Sequence, residues 1–375
     1  MLIEIITTNA DPERGGFGNR VHGLVSMFSQ FADVRVVLTD WAGGARVPGV
    51  TYTSIPLKDT VRTKVHRLRA YYRADFPRRA PVDPPDFVVV ESLDLLGLHQ
   101  YGPGVPMILD EHNVYWNLLR YEIPNAPFFR GPIGRRAFVR RRLIPSLLAR
   151  AKRFEVQAIR DSRRTFVTSD EDQREVLAEV PDAAPKLHVL PNCVDVQRIP
   201  ALPDDPASRN VLFVGDFNYV PNREAAEFIS RTLAPGLPEA QLLLVGADPP
   251  ADAVGSNVAA TGRVPDLLKI LQGASVCIAP LTHGSGTRIK ILTYLAAARP
   301  VVATAKACEG LPVRDGHHLL IRDDPREFRA AIQELLEDSE HRRRLGATGR
   351  QLVESKFDWR VHVPYLRDLV SQVAS

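Results

Sequence analysis

Ser275-Val276-Cys277-Ile278-Ala279-Pro280-Leu281-Thr282-His283-Gly284-Ser285-Gly286-Thr287-Arg288-Ile289-Lys290-Ile291-Leu292-Thr293-Tyr294-Leu295-Ala296 runs from an apolar strand through a glycine turn into helical spacing. The strand, Ser275–Pro280, is too apolar to keep one face in water. The helix starts near Thr287, and a second apolar run, Pro300–Thr304, follows it. Together they read as a βαβ unit whose parallel strands are covered on both faces.

The same alternation continues outward in both directions. Val211–Gly215 and Gln241–Gly246 read as buried strands, with a helix at Arg223–Leu233 between them. Earlier in the chain, Leu2–Thr7, Val34–Leu38, Phe87–Glu91, Met107–Asp110, Thr165–Thr168 and Leu187–Leu190 have the same character. Helical patterns at Asn19–Phe31 and Ser169–Glu179 separate some of them. Ser169 caps the second of these, with Asp170, Glu171 and Asp172 in its first turn. The rhythm pauses over Pro191–Arg209, which holds Pro191, Pro200, Pro203 and Pro206 and reads as an interdomain linker. The reading is an α/β protein of two doubly wound, Rossmann-like domains, residues 1–205 and 206–357. A C-terminal helical tail, 358–375, carries Trp359, Val363, Leu366 and Val370 at helical spacing. Ligands of such folds bind at the loops beyond the strand C-termini, which here implies an interdomain cleft.

Composition fits that reading. The 375 residues are 45% hydrophobic and 25% charged, which excludes a disordered or fibrous chain. Three scattered cysteines, Cys193, Cys277 and Cys308, form neither a disulfide framework nor a metal-binding pattern. No stretch reaches the apolar length of a membrane span. Met1–Thr8 lacks a basic lead and has Glu4 inside its apolar run, so it reads as a first strand rather than a signal peptide. The expected location is cytoplasmic. Net charge is only +4, yet twelve Arg or Lys stand against two acids between Arg130 and Arg164. A second basic stretch covers Arg62–Arg79. These are either solvated helix faces or a footprint for an anionic partner. Nucleic acid is the weaker expectation, and an anionic membrane surface or a lipid-linked phosphate fits a basic, Leu/Ile-bearing helix such as Arg140–Arg150 better.

Two loops have the composition to carry chemistry. The first strand runs into Asn9–Arg20, with Gly15, Gly16 and Gly18 ahead of a helix. Such a loop lets backbone N–H groups approach an anion, although the spacing is not G-x-G-x-x-G. In the second loop, Arg288 and Lys290 lie at the helix start, where cations oppose the helix dipole. Either an anion is held there or both side chains extend into solvent.

From Pro280 to Ala298, then through Arg299–Thr304 and Glu309-Gly310-Leu311, the sequence resembles the nucleotide-sugar segment of GT-B glycosyltransferases, especially family 4. Gly215 with Pro221-Asn222, Leu244-Val245-Gly246, Gly262-Arg263-Val264 and Asp323-Asp324-Pro325 come in the family's order, and the Gly15-Gly16 loop matches in position. The resemblance implies a GT-B fold, with the Trp359 helix crossing back to the first domain. It implies a retaining transfer of a sugar from a nucleotide diphosphate donor to an acceptor hydroxyl, the acceptor being a glycan, a lipid-linked group or a small molecule. Arg288 and Lys290 would neutralise the leaving diphosphate, and His112, in Asp110-Glu111-His112-Asn113, would lie near the donor sugar. Gly15, Gly16, Gly215, Gly284, Ser285, Gly286, Thr287, Thr293 and Glu309 make up the implied donor-binding set. No cofactor is implied, and no metal either, since GT-B enzymes use basic groups and helix dipoles in its place. The one D-x-D, Asp170-Glu171-Asp172, is explained by the helix cap.

The chain departs from the family at Thr293, where many members have a Glu that typically binds the ribose hydroxyls. Thr offers one hydroxyl and no bidentate acceptor. The usual basic pair after the Gly215 strand is also replaced, by Asp216 and Pro221, with Arg223 the nearest cation. A non-catalytic GT-B-like binding subunit and a nucleotide-sugar epimerase on the same fold are the alternatives.

Overall fold

The computed structural model describes residues 1–12, 15–40, 43–55, 83–125, 135–253, 255–284 and 286–374, the side chains of 121–125, 135–141, 143 and 374 excepted. Two compact units result. One comprises Met1–Pro191 with His362–Ser375, the other Asn192–Val361.

The first unit is built on a parallel sheet of seven strands in the order β3-β2-β1-β4-β5-β6-β7. These are β1 (Leu2–Thr7), β2 (Asp33–Leu38), β3 (Thr51–Ser54), β4 (Phe87–Val90), β5 (Met107–Asp110), β6 (Arg164–Val167) and β7 (Leu187–Val189). Central β4 is buried at every position, as a strand covered on both faces must be. Glu4 is the polar exception inside β1. It lies in register with Arg35 on β2 and accepts hydrogen bonds from Arg35 Nε and Tyr101 Oη, both at 2.8 Å. A buried carboxylate survives there because it is paired.

The second unit is a parallel sheet of six strands in the order β10-β9-β8-β11-β12-β13. They are β8 (Asn210–Val214), β9 (Gln241–Val245), β10 (Val258–Gly262), β11 (Val276–Ala279), β12 (Val301–Ala303) and β13 (Leu320–Ile321). A single hydrophobic core joins β8, β11 and β12 to the helices Ile289–Ala296 and Pro325–Glu337. Strands β8 and β9 end in close contact. A Cβ on Gly246, whose φ is +141°, would lie 1.8 Å from the Gly215 carbonyl oxygen, so position 246 needs glycine.

The strands that the sequence did not announce are β3, β10 and β13, each at a sheet edge. Edge strands bury one face or less, and β3 is mostly exposed, so no apolar run marks it. The stretch expected to be a linker is instead fastened to the second unit. Arg342 clasps the Asp204 carboxylate at 3.0 and 2.9 Å, and Arg299 donates to the carbonyls of Leu202 and Pro203. The prolines there shape a strap that lies on the unit. The tail is a 3-10 turn, Trp359–His362, followed by the helix Val363–Ala374. That helix packs in the first unit against Gly16–Phe28. Arg367 lies over the Phe31 ring and the Tyr365 hydroxyl is 3.0 Å from His188 Nδ1.

Among the described residues no helix is long and apolar enough to cross a membrane. The basic stretch Arg62–Arg79 lies outside the described residues. Most of Arg130–Arg164 falls on a long helix, Arg135–Asp161, whose face is exposed at Leu147.

Candidate functional site

In the second unit the site forms where β8 and β11 end. After β11 the chain turns through Gly284 and Gly286, both at positive φ, before the helix Ile289–Ala296. Arg288 occupies the cap position, so that helix starts two residues later than Thr287. A Cβ at Gly284 would meet the Tyr219 hydroxyl at 2.5 Å and Arg288 Nη2 at 2.8 Å, so the loop is tightly closed. Thr287 is buried, and its hydroxyl accepts a 2.6 Å hydrogen bond from Asn192 Nδ2. Ser285 lies outside the described residues.

Both cations are folded inward. Arg288 donates to the carbonyls of Gly286 (2.9 Å) and His283 (3.3 Å), which holds its guanidinium over the loop. Lys290 Nζ donates to Asn222 Oδ1 at 2.7 Å and sits 4.1 Å from the centre of the Phe213 ring. Burial, reinforced by the Arg288 charge, pushes the Lys290 ammonium well below the ordinary lysine range. Asn222 is itself anchored by donation to the Asp216 carbonyl at 2.8 Å and packs against Gly215. Two inward cations with the first helix amides beside them have the makings of a cradle for an anion. Asn222 and Tyr219 are the members of this group that the sequence roles omitted. The Pro221-Asn222 pair was the available signal.

Thr293 is one turn further on, and its hydroxyl donates to the Ile289 carbonyl at 3.0 Å. Its hydrogen is therefore spent inside the helix. Glu309 is exposed on the loop after β12 and pairs with Lys306 at 2.5 Å. From Arg288 to Thr293 the helix rises about 7.5 Å, comparable to the step from diphosphate to ribose. Thr293→Glu should therefore strengthen nucleoside diphosphate binding or leave it intact in calorimetric titrations. Weakening by both Thr293→Glu and Thr293→Gln, with Glu309→Ala silent, would remove Thr293 from the pocket.

The first unit carries its own cluster at the ends of β1, β4 and β5. Gly15, with φ of +91°, caps the helix Gly16–Phe28, which places Phe17 flat on the His112 ring at 4.3 Å. His112 Nε2 faces Glu91 Oε2 at 3.0 Å and Asp110 Oδ2 at 3.3 Å. Arg20, from the same helix as Phe17, grips Asp110 with two hydrogen bonds (2.5 and 2.8 Å) and donates to the Leu190 carbonyl. Burial pushes His112 down to about 4, so its ring is neutral near pH 7. Burial and the Asp110 charge drive Glu91 well up. Burial would raise Asp110 too, but the Arg20 guanidinium holds it below the usual range.

Sequence reasoning singled out His112 and gave no role to Arg20, Glu91 and Asp110, which form its setting in the structure. The available signal was a charged residue closing an otherwise apolar strand, as Glu91 and Asp110 do. Glu91, Asp110 and His112 also form the single group among the described residues with metal-ligating spacing, their ligand atoms lying within 4.8 Å of one another. Arg20 already supplies the positive charge that Asp110 needs, which disfavours a second cation. The Asp170-Glu171-Asp172 segment serves as a helix start, with Ser169 Oγ accepting from the Asp172 amide.

The family described as Glycosyl transferases group 1 matches residues 208–338. No curated protein sequence matches the chain. Among solved structures, sucrose-phosphate synthase from Thermosynechococcus elongatus is 18% identical with a TM-score of 0.72, over 100% of this chain and 99% of that one. Anabaena HepE in complex with UDP-glucose is 13% identical with a TM-score of 0.68, over 99% and 100%. WaaG, a glycosyltransferase involved in lipopolysaccharide biosynthesis, is 15% identical with a TM-score of 0.67, over 97% and 98%. By fold the chain is thus a GT-B protein, as its sequence implied, and through residues 208–338 it resembles the group 1 glycosyl transferases.

Proposed function

We propose that this protein is a retaining glycosyltransferase that moves a sugar from a nucleotide diphosphate donor to an acceptor hydroxyl. The observation that carries the reading is the Gly284–Lys290 cradle, which pairs inward cations with a helix N-terminus inside the segment matched to group 1. The departing diphosphate is the charge that grows during transfer. Groups set for it before reaction lower the barrier without reorganising. With Arg288 and Lys290 in that role, no metal is required and activity survives chelation by EDTA. HepE is recorded with UDP-glucose and WaaG acts in lipopolysaccharide biosynthesis, so a UDP-sugar is the first donor to try. A lipid-linked acceptor is consistent with the basic helix Arg135–Asp161.

Calorimetry against UDP, GDP and ADP, then NMR of the product's anomeric configuration, tests the proposal. No binding of any of the three would overturn it, and inversion would overturn retention. His112→Ala should depress turnover at least tenfold more than it weakens binding of the bare nucleotide, which lacks the sugar. Equal losses would give His112 a structural role only.

One observation favours a second reading. Thr293 spends its hydroxyl on Ile289 where many family members present a carboxylate to the ribose. A nucleotide-binding subunit without catalysis would bind UDP yet neither transfer nor hydrolyse the sugar.

A further inference from the structure

We propose that Glu91 is a positioning residue that holds the His112 ring as its Nε2–H tautomer, leaving Nδ1 as a hydrogen-bond acceptor. The inference deepens the role proposed above for His112 and in that respect rests on it. The tautomer itself is a property of the first unit alone.

Glu91 is the last residue of its apolar run, fully buried, and Oε1 has no hydrogen-bond donor among the described residues. A carboxyl in that position costs stability, so its retention calls for a reason. Its Oε2 meets one ring nitrogen, His112 Nε2, at 3.0 Å. The second oxygen at that nitrogen is Asp110 Oδ2, at 3.3 Å.

Asp110 is kept ionised by the two-pronged contact with Arg20, so its oxygens offer only lone pairs. A bare Nε2 lone pair aimed between them would be repelled. Nε2 must therefore carry the proton. With the Nε2–H as donor, Glu91 presents Oε2 to the ring as its acceptor at 3.0 Å, the shorter of the two contacts. Asp110 is committed to Arg20, which leaves Glu91 to set the ring's angle. Phe17, stacked within 12° of coplanar, fixes the ring plane. Nδ1 makes no hydrogen bond among the described residues and is the nitrogen left to receive a hydroxyl proton. Among the described residues the charged and titratable groups around the ring are Glu91, Asp110 and Arg20; Arg20 acts through Asp110, and Glu91 makes the nearer contact to Nε2.

Imidazole nitrogen–proton correlation spectra of protein labelled with 15N-histidine read this directly, with the His112 signal identified by its loss in His112→Gln. The wild type should show a protonated Nε2 and an unprotonated Nδ1. Glu91→Leu should mix the two tautomers while leaving the thermal midpoint unchanged or higher, because a buried acid is removed. Glu91→Gln keeps an acceptor oxygen and should restore the wild-type pattern. In sugar transfer, kcat/KM should fall about tenfold in the Leu variant, the scale of one hydrogen bond, and recover in the Gln variant.

A wild-type ring protonated at Nδ1, or bound through Nε2 to added Zn2+ or Mn2+, overturns the assignment. So does a Leu variant with the wild-type spectrum. If the Leu variant does not fold, the wild-type spectrum and the Gln variant decide. A protein with the expected tautomer that turns over no nucleotide sugar refutes the functional reading and sustains the assignment of the ring.

Discussion

Replacing Lys290 by methionine should abolish most nucleoside diphosphate binding and at the same time stabilise the ligand-free protein. The two effects share one cause. The Lys290 ammonium is held beside the Phe213 ring and near Arg288, with the Asn222 amide oxygen as its hydrogen-bond partner among the described residues. Losing a charge-assisted contact to a phosphate costs roughly 1.5–3 kcal/mol, about tenfold to more than a hundredfold in affinity. Arg288→Ala should cost a similar amount and add its own loss.

The stability gain has a pH signature. The folded-state pKa of Lys290 lies below that of the unfolded chain, so the folded protein binds fewer protons between the two values. Wild-type stability therefore rises with pH through that window, whose upper end is the ordinary lysine value of about 10.4. The Met variant lacks that contribution. It should unfold at a higher midpoint at neutral pH, and its advantage should shrink as pH approaches the upper end. Urea titrations at several pH values measure this. A Met variant that binds UDP normally, or melts lower than wild type at pH 7, would show that Lys290 is a structural cation. Asn222→Ala should act in the same direction on binding, more weakly, because it releases Lys290 without removing it.

Arg20→Ala is expected to be the most destabilising single change in the first unit, by about 3–5 kcal/mol, because it leaves the buried Asp110 carboxylate without its counter-charge. In the wild type the depressed Asp110 pKa contributes stability that is present above the unfolded value near 3.9 and is lost as pH falls through the folded value. Without Arg20, burial is the largest influence left on Asp110 and raises its pKa, opposed only by the nearby His112 and Glu91. The dependence then reverses, and the deficit against wild type should shrink on acidification. Removing both charges with Arg20→Met and Asp110→Leu should return much of the loss, since an apolar pair of similar volume replaces the ions. Denaturant unfolding of the two variants at pH 7 and pH 4.5 reads both effects. An Arg20→Ala protein within 1 kcal/mol of wild type would mean that Asp110 is held by some other group.

How far the sequence reached depended on whether a signal was local. The buried strands were legible because a strand covered on both faces must be apolar throughout, and Leu2–Thr7 and Phe87–Val90 are so apart from Glu4. The Ser169 cap and the Gly284–Lys290 turn were legible because capping and turn chemistry act within a few residues. Edge strands such as Thr51–Ser54 were not, since half-exposed backbone leaves no apolar mark. Tertiary structure alone decided the charges. Glu4, Glu91 and Asp110 lie in apolar runs where an isolated carboxylate would be untenable. Their partners Arg35, His112 and Arg20 come from 31, 21 and 90 residues away. The same holds for Lys290, whose partner Asn222 is 68 residues distant. Sequence spacing sets which side chains share a helix face or a turn, but the pairing of buried charges is set by sheet order, which brings the ends of non-consecutive strands together.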